Sequence, residues 1–342
     1  MAIALNSIPR FSASEALALA RREYGMAGEI SALPSERDQN FLVRDAVRGK
    51  IVLKIANRDD SRELLEFQHQ AMRRVAAARV GCRIQEIVPS GSGADIGTIE
   101  GTAGVRHCFR ALTWIEGAVL GDEPVRSASL LESLGACVAR VGLALRDFTH
   151  PAMHRVLQWD LRRADLARDK ASLLPAPWRR WVEDAFEEWR QVDWPALRPG
   201  VIHGDVNDYN VLVEGGRVAG LLDFGDMVHS AVVCDLAVTL AYAVLHQADP
   251  LAAAACVIRG YHRENPLTEP EQCALMPLMR ARLAVSLCYS AHNKARSPGD
   301  AYQTISEAAA LELVKRLDSR ETALDMNEAY EDPASCNSPA AL

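Results

Sequence analysis

Residues 201–226 read VIHGDVNDYNVLVEGGRVAGLLDFGD, and the fold turns on how this stretch is parsed. Residues 211–213 and 218–222 are apolar, β-prone runs, and Glu214-Gly215-Gly216-Arg217 between them can turn tightly, which predicts a hairpin. Folding about the two glycines brings Asn210, just before the first strand, near Asp223, just after the second. Asp205 lies five residues before Asn210, so a short loop gathers all three polar groups at one end of the hairpin. Two carboxylates and an amide together make a hard, oxygen-rich site suited to Mg²⁺, with one carboxylate to spare as a base. Read without any chemistry, the same residues are loop caps and a strand-ending turn, where Asp is common.

Two spacing patterns coincide in the stretch. His203, Asp205 and Asn210 fit H-x-D-x-x-x-x-N, and Asp223-Phe224-Gly225 fits D-F-G, the catalytic-loop and metal-binding signatures of kinases. Three residues alone mean little. The two patterns in order, 18 residues apart from Asp205 to Asp223 and flanking a hairpin, point to phosphoryl transfer. With Gly204 where protein kinases usually carry Arg, and Asn207-Asp208 ahead of Asn210, the run resembles the aminoglycoside phosphotransferase/choline kinase-like family, the hydroxylysine kinase branch most of all. The resemblance extends from about Ala16 to about Leu317. It implies an α+β, two-lobed protein-kinase-like fold with a five-stranded antiparallel N-terminal lobe and a mainly helical C-terminal lobe. It also implies phosphorylation of a small alcohol, and it is far more specific for the reaction than for the acceptor.

Upstream, the order of elements suits such a lobe. Ser12-Ala13-Ser14-Glu15 caps an apolar-striped helix that stops at Gly25. Residues 29–33 and 39–44 read as paired strands around the polar turn Pro34-Ser35-Glu36-Arg37-Asp38. No G-x-G-x-x-G covers the phosphates here; either Ser35 and backbone amides cradle them, or the turn is merely solvated. Residues 50–56, KIVLKIA, form a strand with Lys54 inside an apolar run, a costly place for a charge without a partner. The kinase pattern supplies two partners: nucleotide phosphates and a glutamate on the next helix, 61–78, where Glu66 is preferred over Glu63. The bland alternative for Lys54 is an edge lysine that snorkels. Residues 84–88, 97–100 and 107–115 read as further strands, giving a nucleotide-binding lobe over 1–113 and a hinge over 114–120.

From residue 128 onward the period becomes helical, and the C-terminal lobe, with the catalytic loop and acceptor site, is expected over 121–325. Helical patterns cover 153–170, 178–190, 232–245, 250–264, 269–292 and 301–319, and a loose tail covers 326–342. Trp159 and Asp160 read as an anchor and a cap, or as lining of the acceptor pocket. Asp235 resembles the acid that braces the family's catalytic loop from below, and it also suits a helix N-cap.

Composition bounds the partners. The chain has 342 residues, of which 49% are apolar and 24% charged, the balance of an ordinary globular protein. A net charge of −7 argues against nucleic acid. Eight cysteines form no C-x-x-C pair, no apolar run reaches membrane length, and MAIALNSIPRF lacks a leader pattern, so a cytoplasmic protein without membrane contact is expected. The oligomeric state is not encoded legibly.

The functional expectation is a small-molecule kinase. Asp205 takes the acceptor's proton, Asn210 and Asp223 hold Mg²⁺, and Lys54, positioned by Glu66, steadies the phosphates of ATP or GTP. Asp208 and Asp226 add negative charge beside Asp205 and Asp223, which favours an amino alcohol as acceptor. The family resemblance points to 5-hydroxy-L-lysine; homoserine, choline or ethanolamine, and aminoglycosides are alternatives. A nucleotide-binding pseudokinase is the reading of another class, and its mark would be loss of Lys54, Asp205, Asn210 or Asp223, all of which are present.

Overall fold

In the computed structural model, which describes residues 8–101, 104–296 and 306–317, helix α1 (Ala13–Tyr24) starts at the expected cap. Ser12 Oγ accepts the Glu15 N–H at 3.2 Å, the Glu15 carboxylate accepts the Ser12 N–H at 2.7 Å, and Gly25 at φ +65° ends the helix. The chain divides into two compact units. One comprises the described residues up to Ala77, with Ile84–Glu116 and His150–Ala152; the other comprises Ala78–Arg83, Gly117–Thr149 and the described residues from Met153 onward. The expected tail at 326–342 lies outside the described residues.

The first unit is built on β1 (Glu29–Leu33), β2 (Gln39–Asp45), β3 (Gly49–Ile55), α2 (Arg62–Ala77), β5 (Ile87–Val88), β6 (Gly97–Glu100) and β7 (Arg106–Thr113), whereas the two-residue β4 (Arg83–Ile84) that follows α2 in the chain belongs to a different sheet. Its antiparallel sheet runs β1-β2-β3-β7-β5, with β6 also on β7. That makes six strands where five were expected. The eight-residue β7 is long enough to pair end to end with two short strands, β6 opposite Arg106 to Phe109 and β5 opposite Ala111 and Leu112. Alternation along the strands sorts the two faces. Phe41, Val43, Ile51, Leu53, Ile55, Phe109 and Ala111 pack with Leu19, Tyr24 and Met26 of the α1 segment into one core. Each fully buried large side chain there contributes about 1.5–3 kcal/mol relative to exposure. Asn40, Lys54 and Arg110 lie directly across from one another on β2, β3 and β7, and all three are buried.

The second unit follows the sequence through β8 (Ala118–Val119), α3 (Ala128–Ala144), α4 (Ala176–Arg190), β9 (Pro199–Ile202), β10 (Val211–Glu214), β11 (Arg217–Leu221), β12 (Val228–Ala231), α5 (Val233–Ala243), α6 (Pro250–Glu264), α7 (Glu269–Arg296) and α8 (Glu307–Leu317). The expected hairpin is β10–β11. Glu214 faces Arg217 across a two-residue turn whose glycines have φ +59° and +72°, a combination that matches the strands' own twist. β8 extends this sheet on the far side of β10. A second ribbon, β9 with β12, was not expected from the sequence. Residues 161–173, read as part of a helix, form 3₁₀ turns instead, begun by Asp160 as cap. Among the described residues no helix is long and apolar enough to cross a membrane.

Candidate active site

Between β9 and β10 the chain makes a loop over 203–210, and buried Asp235 at the start of α5 holds its first turn. The Asp235 carboxylate accepts the N–H groups of His203 at 2.9 Å and Gly204 at 2.7 Å. Gly204 sits at φ +82°, and a Cβ there would overlap the carbonyl of Asp226. No side chain fits, which accounts for glycine where protein kinases have arginine. His203 links loop to hairpin: its Nδ1 accepts the Asp205 N–H at 3.3 Å, so its Nε2–H donates to the Leu222 carbonyl at 3.0 Å. Asn207 Oδ1 accepts the N–H groups of Tyr209 and Asn210 at 2.8 and 3.1 Å, which turns the chain into β10.

These bonds leave the Asp205 carboxylate clamped on both oxygens. Oδ2 accepts from Asn207 Nδ2 at 2.9 Å and Asn210 Nδ2 at 3.0 Å, and Oδ1 accepts from Arg282 Nη2 on α7 at 2.7 Å. Burial raises the Asp205 pKa to about 6, with Asp226 adding to the rise and the charges of Arg282 and His203 opposing it. A carboxylate with a value just below neutrality is suited to accept a proton at physiological pH.

At the hairpin's open end the Leu222 N–H donates to the Asn210 carbonyl at 2.8 Å, so Asp223 follows directly beside Asn210, as the sequence predicts. Asp223 has φ +54° and ψ +79°, a left-handed conformation rare for a residue with a side chain, and its Oδ1 accepts the Gly225 N–H at 3.0 Å. Asn210 spends Nδ2 on the Asp205 side chain and carbonyl. Its Oδ1 is therefore turned away from Asp205. An amide oxygen and a carboxylate are the hard donors that Mg²⁺ takes from a protein when phosphates and water supply the rest. Among the described residues no three His, Cys, Asp or Glu side chains form a closed metal cage.

In the first unit, Lys54 is buried within β3, with Asn40 and Arg110 as cross-strand neighbours. Glu66 sits on a flank of α2, its side chain 46% exposed and 3.9 Å from Arg62. Its nearest charged neighbour on the helix is thus Arg62, one turn earlier. The helix instead turns Gln68 and His69 inward, and Gln68 Oε1 accepts from Arg110 Nη2 at 2.6 Å. Ser35 Oγ accepts the Asp38 N–H at 3.2 Å within the polar turn, and Asp38 Oδ1 accepts the Asn57 N–H at 3.0 Å, which ties the turn to the chain just after β3.

The expected acidic mouth needs a larger correction. Asp208 is buried and pairs with Arg126 at 3.2 Å, where Arg126 also donates to the carbonyls of Tyr242 and Leu120. It tethers the loop from within and is not a free carboxylate for substrate. Asp226 lies 3.9 Å from Arg155, which donates to the Gly225 carbonyl at 3.1 Å. Arginines thus stand beside three of the four clustered carboxylates, Asp205, Asp208 and Asp226. Trp159 and Asp160 act as anchor and cap. Asp160 Oδ1 accepts the Arg162 N–H and the Ser230 hydroxyl, and the Trp159 ring lies under the Arg282 guanidinium.

Arg282 itself was missed. A signal was present in the sequence: Arg280 and Arg282 lie between the apolar runs ALMPLM and LAVSLC, where a buried charge would need a partner.

Residues 29–268 match the phosphotransferase enzyme family. The chain is 30% identical over 310 residues to a hydroxylysine kinase of Xenopus laevis, covering 82% of this chain and 83% of that one. Among solved structures it is similar to a microcompartment-associated aminopropanol kinase, at 16% identity and a TM-score of 0.70 over 93% of this chain and 98% of that one. It is likewise similar to an amicoumacin kinase in complex with AMP-PNP, Ca²⁺ and Ami, at 16% identity and 0.69 over 93% and 97%. At such identities the structural likeness speaks for the fold, and the expected fold class holds: an antiparallel-sheet unit and a mainly helical unit.

Proposed function

Because this chain belongs to the phosphotransferase enzyme family, we propose that it moves the γ-phosphoryl group of ATP or GTP to the hydroxyl of an amino alcohol, with 5-hydroxy-L-lysine as the leading acceptor. The observation that carries the reading is the Asp205 carboxylate, clamped on both oxygens beside the Asn210–Asp223 corner. The acceptor oxygen attacks the γ-phosphorus, its proton passes to Asp205, and the bond to the β-phosphate oxygen breaks to leave a nucleoside diphosphate. Asn210 Oδ1 and the Asp223 carboxylate would hold Mg²⁺, which when bound offsets charge on the transferring phosphate. Lys54 is assigned to the nucleotide phosphates, with Ser35 offering its hydroxyl hydrogen. A loose transition state asks for positioning and charge more than for covalent chemistry, and the rigid hydrogen bonding around Asp205 supports that demand.

The similarity to hydroxylysine kinases supports the acceptor. Asp226, with a side chain 17% exposed, is the carboxylate assigned to the acceptor's amine. A net gain of about 1.4 kcal/mol from that pair would give roughly tenfold discrimination. The test is a competition assay with ATP and GTP as donors and a panel of amino alcohols against their N-acetylated forms. Free 5-hydroxylysine should lead its acetylated form by at least about tenfold in kcat/KM. Equal rates for the free and acetylated forms would overturn the amino-alcohol reading.

A further inference from the structure

Arg282 lies 77 residues beyond Asp205 in the chain, on a different element, with a side chain only 3% exposed. Burying a guanidinium is costly unless its surroundings compensate, and here they do so in a particular geometry. Nε donates to the Tyr242 hydroxyl at 3.2 Å, Nη1 to the Trp159 carbonyl at 3.3 Å, and Nη2 to Asp205 Oδ1 at 2.7 Å. The Trp159 and Tyr242 rings lie 4.8 and 5.4 Å from its central carbon. The group is fixed by two aromatic neighbours and two hydrogen bonds before it meets the carboxylate. Its helix is anchored as well: Arg198, just before β9, makes a two-pronged bond to buried Glu271 near the start of α7, at 2.7 and 2.6 Å.

The carboxylate's lone pairs show what this fixing does. A carboxylate oxygen accepts about two hydrogen bonds. Oδ2 already takes two, from Asn207 and Asn210, whereas Oδ1 takes one, from Arg282. The remaining place for an acceptor hydroxyl is on Oδ1, next to the guanidinium. Asn207 and Asn210 belong to the same loop as Asp205 and move with it; Arg282 is the outside reference that sets the carboxylate's rotation.

Building on Asp205 as the base, we propose that Arg282 is a positioning residue for phosphoryl transfer, orienting Oδ1 of Asp205 toward the acceptor hydroxyl. Its hydrogen bonds run to Tyr242, Trp159 and Asp205, so its effect belongs to the chemical step. Misplacing a reacting group by about 1 Å can cost about 10²-fold in rate, so Arg282→Ala should lower kcat by about that factor, with KM for nucleotide and acceptor essentially unchanged. Arg282→Lys keeps the charge but not the planar fork and should fall between parent and Ala. Guanidinium ion added at millimolar concentration should restore part of the lost kcat to Arg282→Ala and none to Arg282→Lys, whose ammonium fills the place.

The series is run on the full chain with nucleotide affinity measured alongside, and with Asp205→Asn as reference. Parental kcat in both Arg282 variants, or a change confined to acceptor KM, would overturn the inference. A joint loss of nucleotide affinity and kcat in Arg282→Lys without guanidinium rescue of Arg282→Ala would reduce Arg282 to a structural brace and overturn it too. Parental kcat in Asp205→Asn would instead show that the reading of Asp205 as base is at fault.

Discussion

Arg282 and His69 are both buried basic side chains on helices, and their surroundings treat them in opposite ways. Arg282 keeps its charge beside Asp205. His69 on α2 is 2% exposed, and its Nε2 has no hydrogen-bond partner among the described residues. Burial, with the charges of Arg110 and Arg73 assisting and Asp95 opposing, pushes its pKa down to about 3. The folded state therefore holds it neutral while the unfolded chain protonates it below about pH 6.5. Stability from this group is complete above that value and is lost as pH falls through the window between the two pKa values, at up to about 1.4 kcal/mol per unit. Urea unfolding at pH 7 and pH 5 should show the parent losing about 2 kcal/mol more than His69→Gln; equal losses would refute the burial argument. Legibility at this scale tracks sequence distance. Asp205, Asn210 and Asp223 could be read because one loop and one hairpin hold them within 19 residues. The arginines that pair with Asp205, Asp208 and Asp226 come from 282, 126 and 155, and no local pattern announces such partners. Their absence from the reading is why an acidic mouth was expected.

Elements repeat the lesson through backbone contact. Helices α3 and α6 cross at Gly135 and Gly260: a Cβ on the first would overlap the Val257 carbonyl, and one on the second the Glu132 carbonyl. Both residues have ordinary helical backbone, so close approach rather than conformational freedom selects glycine. Gly135→Ala should raise helix propensity yet lower stability by about 1–3 kcal/mol, because two packed helices must move apart. Thermal unfolding of the purified variant checks the sign, and a gain in Tm would show that the crossing yields easily. The β10–β11 hairpin was readable from its Gly-Gly turn, and α1 from its capping box. The β9–β12 ribbon was not, since its partners lie at 199–202 and 228–231 and each run is only four residues long. Helical phase is hard to read for a related reason: a sequence motif does not settle it, and the polar side chains that α2 buries are Gln68 and His69.

For the molecule as a whole, the decisive feature is how little chain separates Asp223 from the strand that follows. Four residues, 224–227, connect it to β12, and β12 pairs at once with β9, the strand that leads into the catalytic loop. Protein kinases place a long activation segment after D-F-G and use its phosphate to hold an arginine of the catalytic loop. Here glycine stands at that arginine's position, and the Asp226 carbonyl leaves no room for any side chain there. The loop's order comes from groups already in the chain: Asp235 on the His203 and Gly204 N–H groups, Arg126 on Asp208, and Arg282 on Asp205. A phosphate would find no arginine within the catalytic loop to recruit and no long segment after D-F-G to order. The chain should therefore be active as synthesised, and phosphatase treatment should leave kcat and both KM values unchanged. The measurement compares treated and untreated enzyme in the same acceptor assay, with intact mass confirming that no phosphate remains. Loss of turnover on dephosphorylation would mean that a modification supplies an interaction the loop needs, and that the internal braces alone do not hold it in its working geometry.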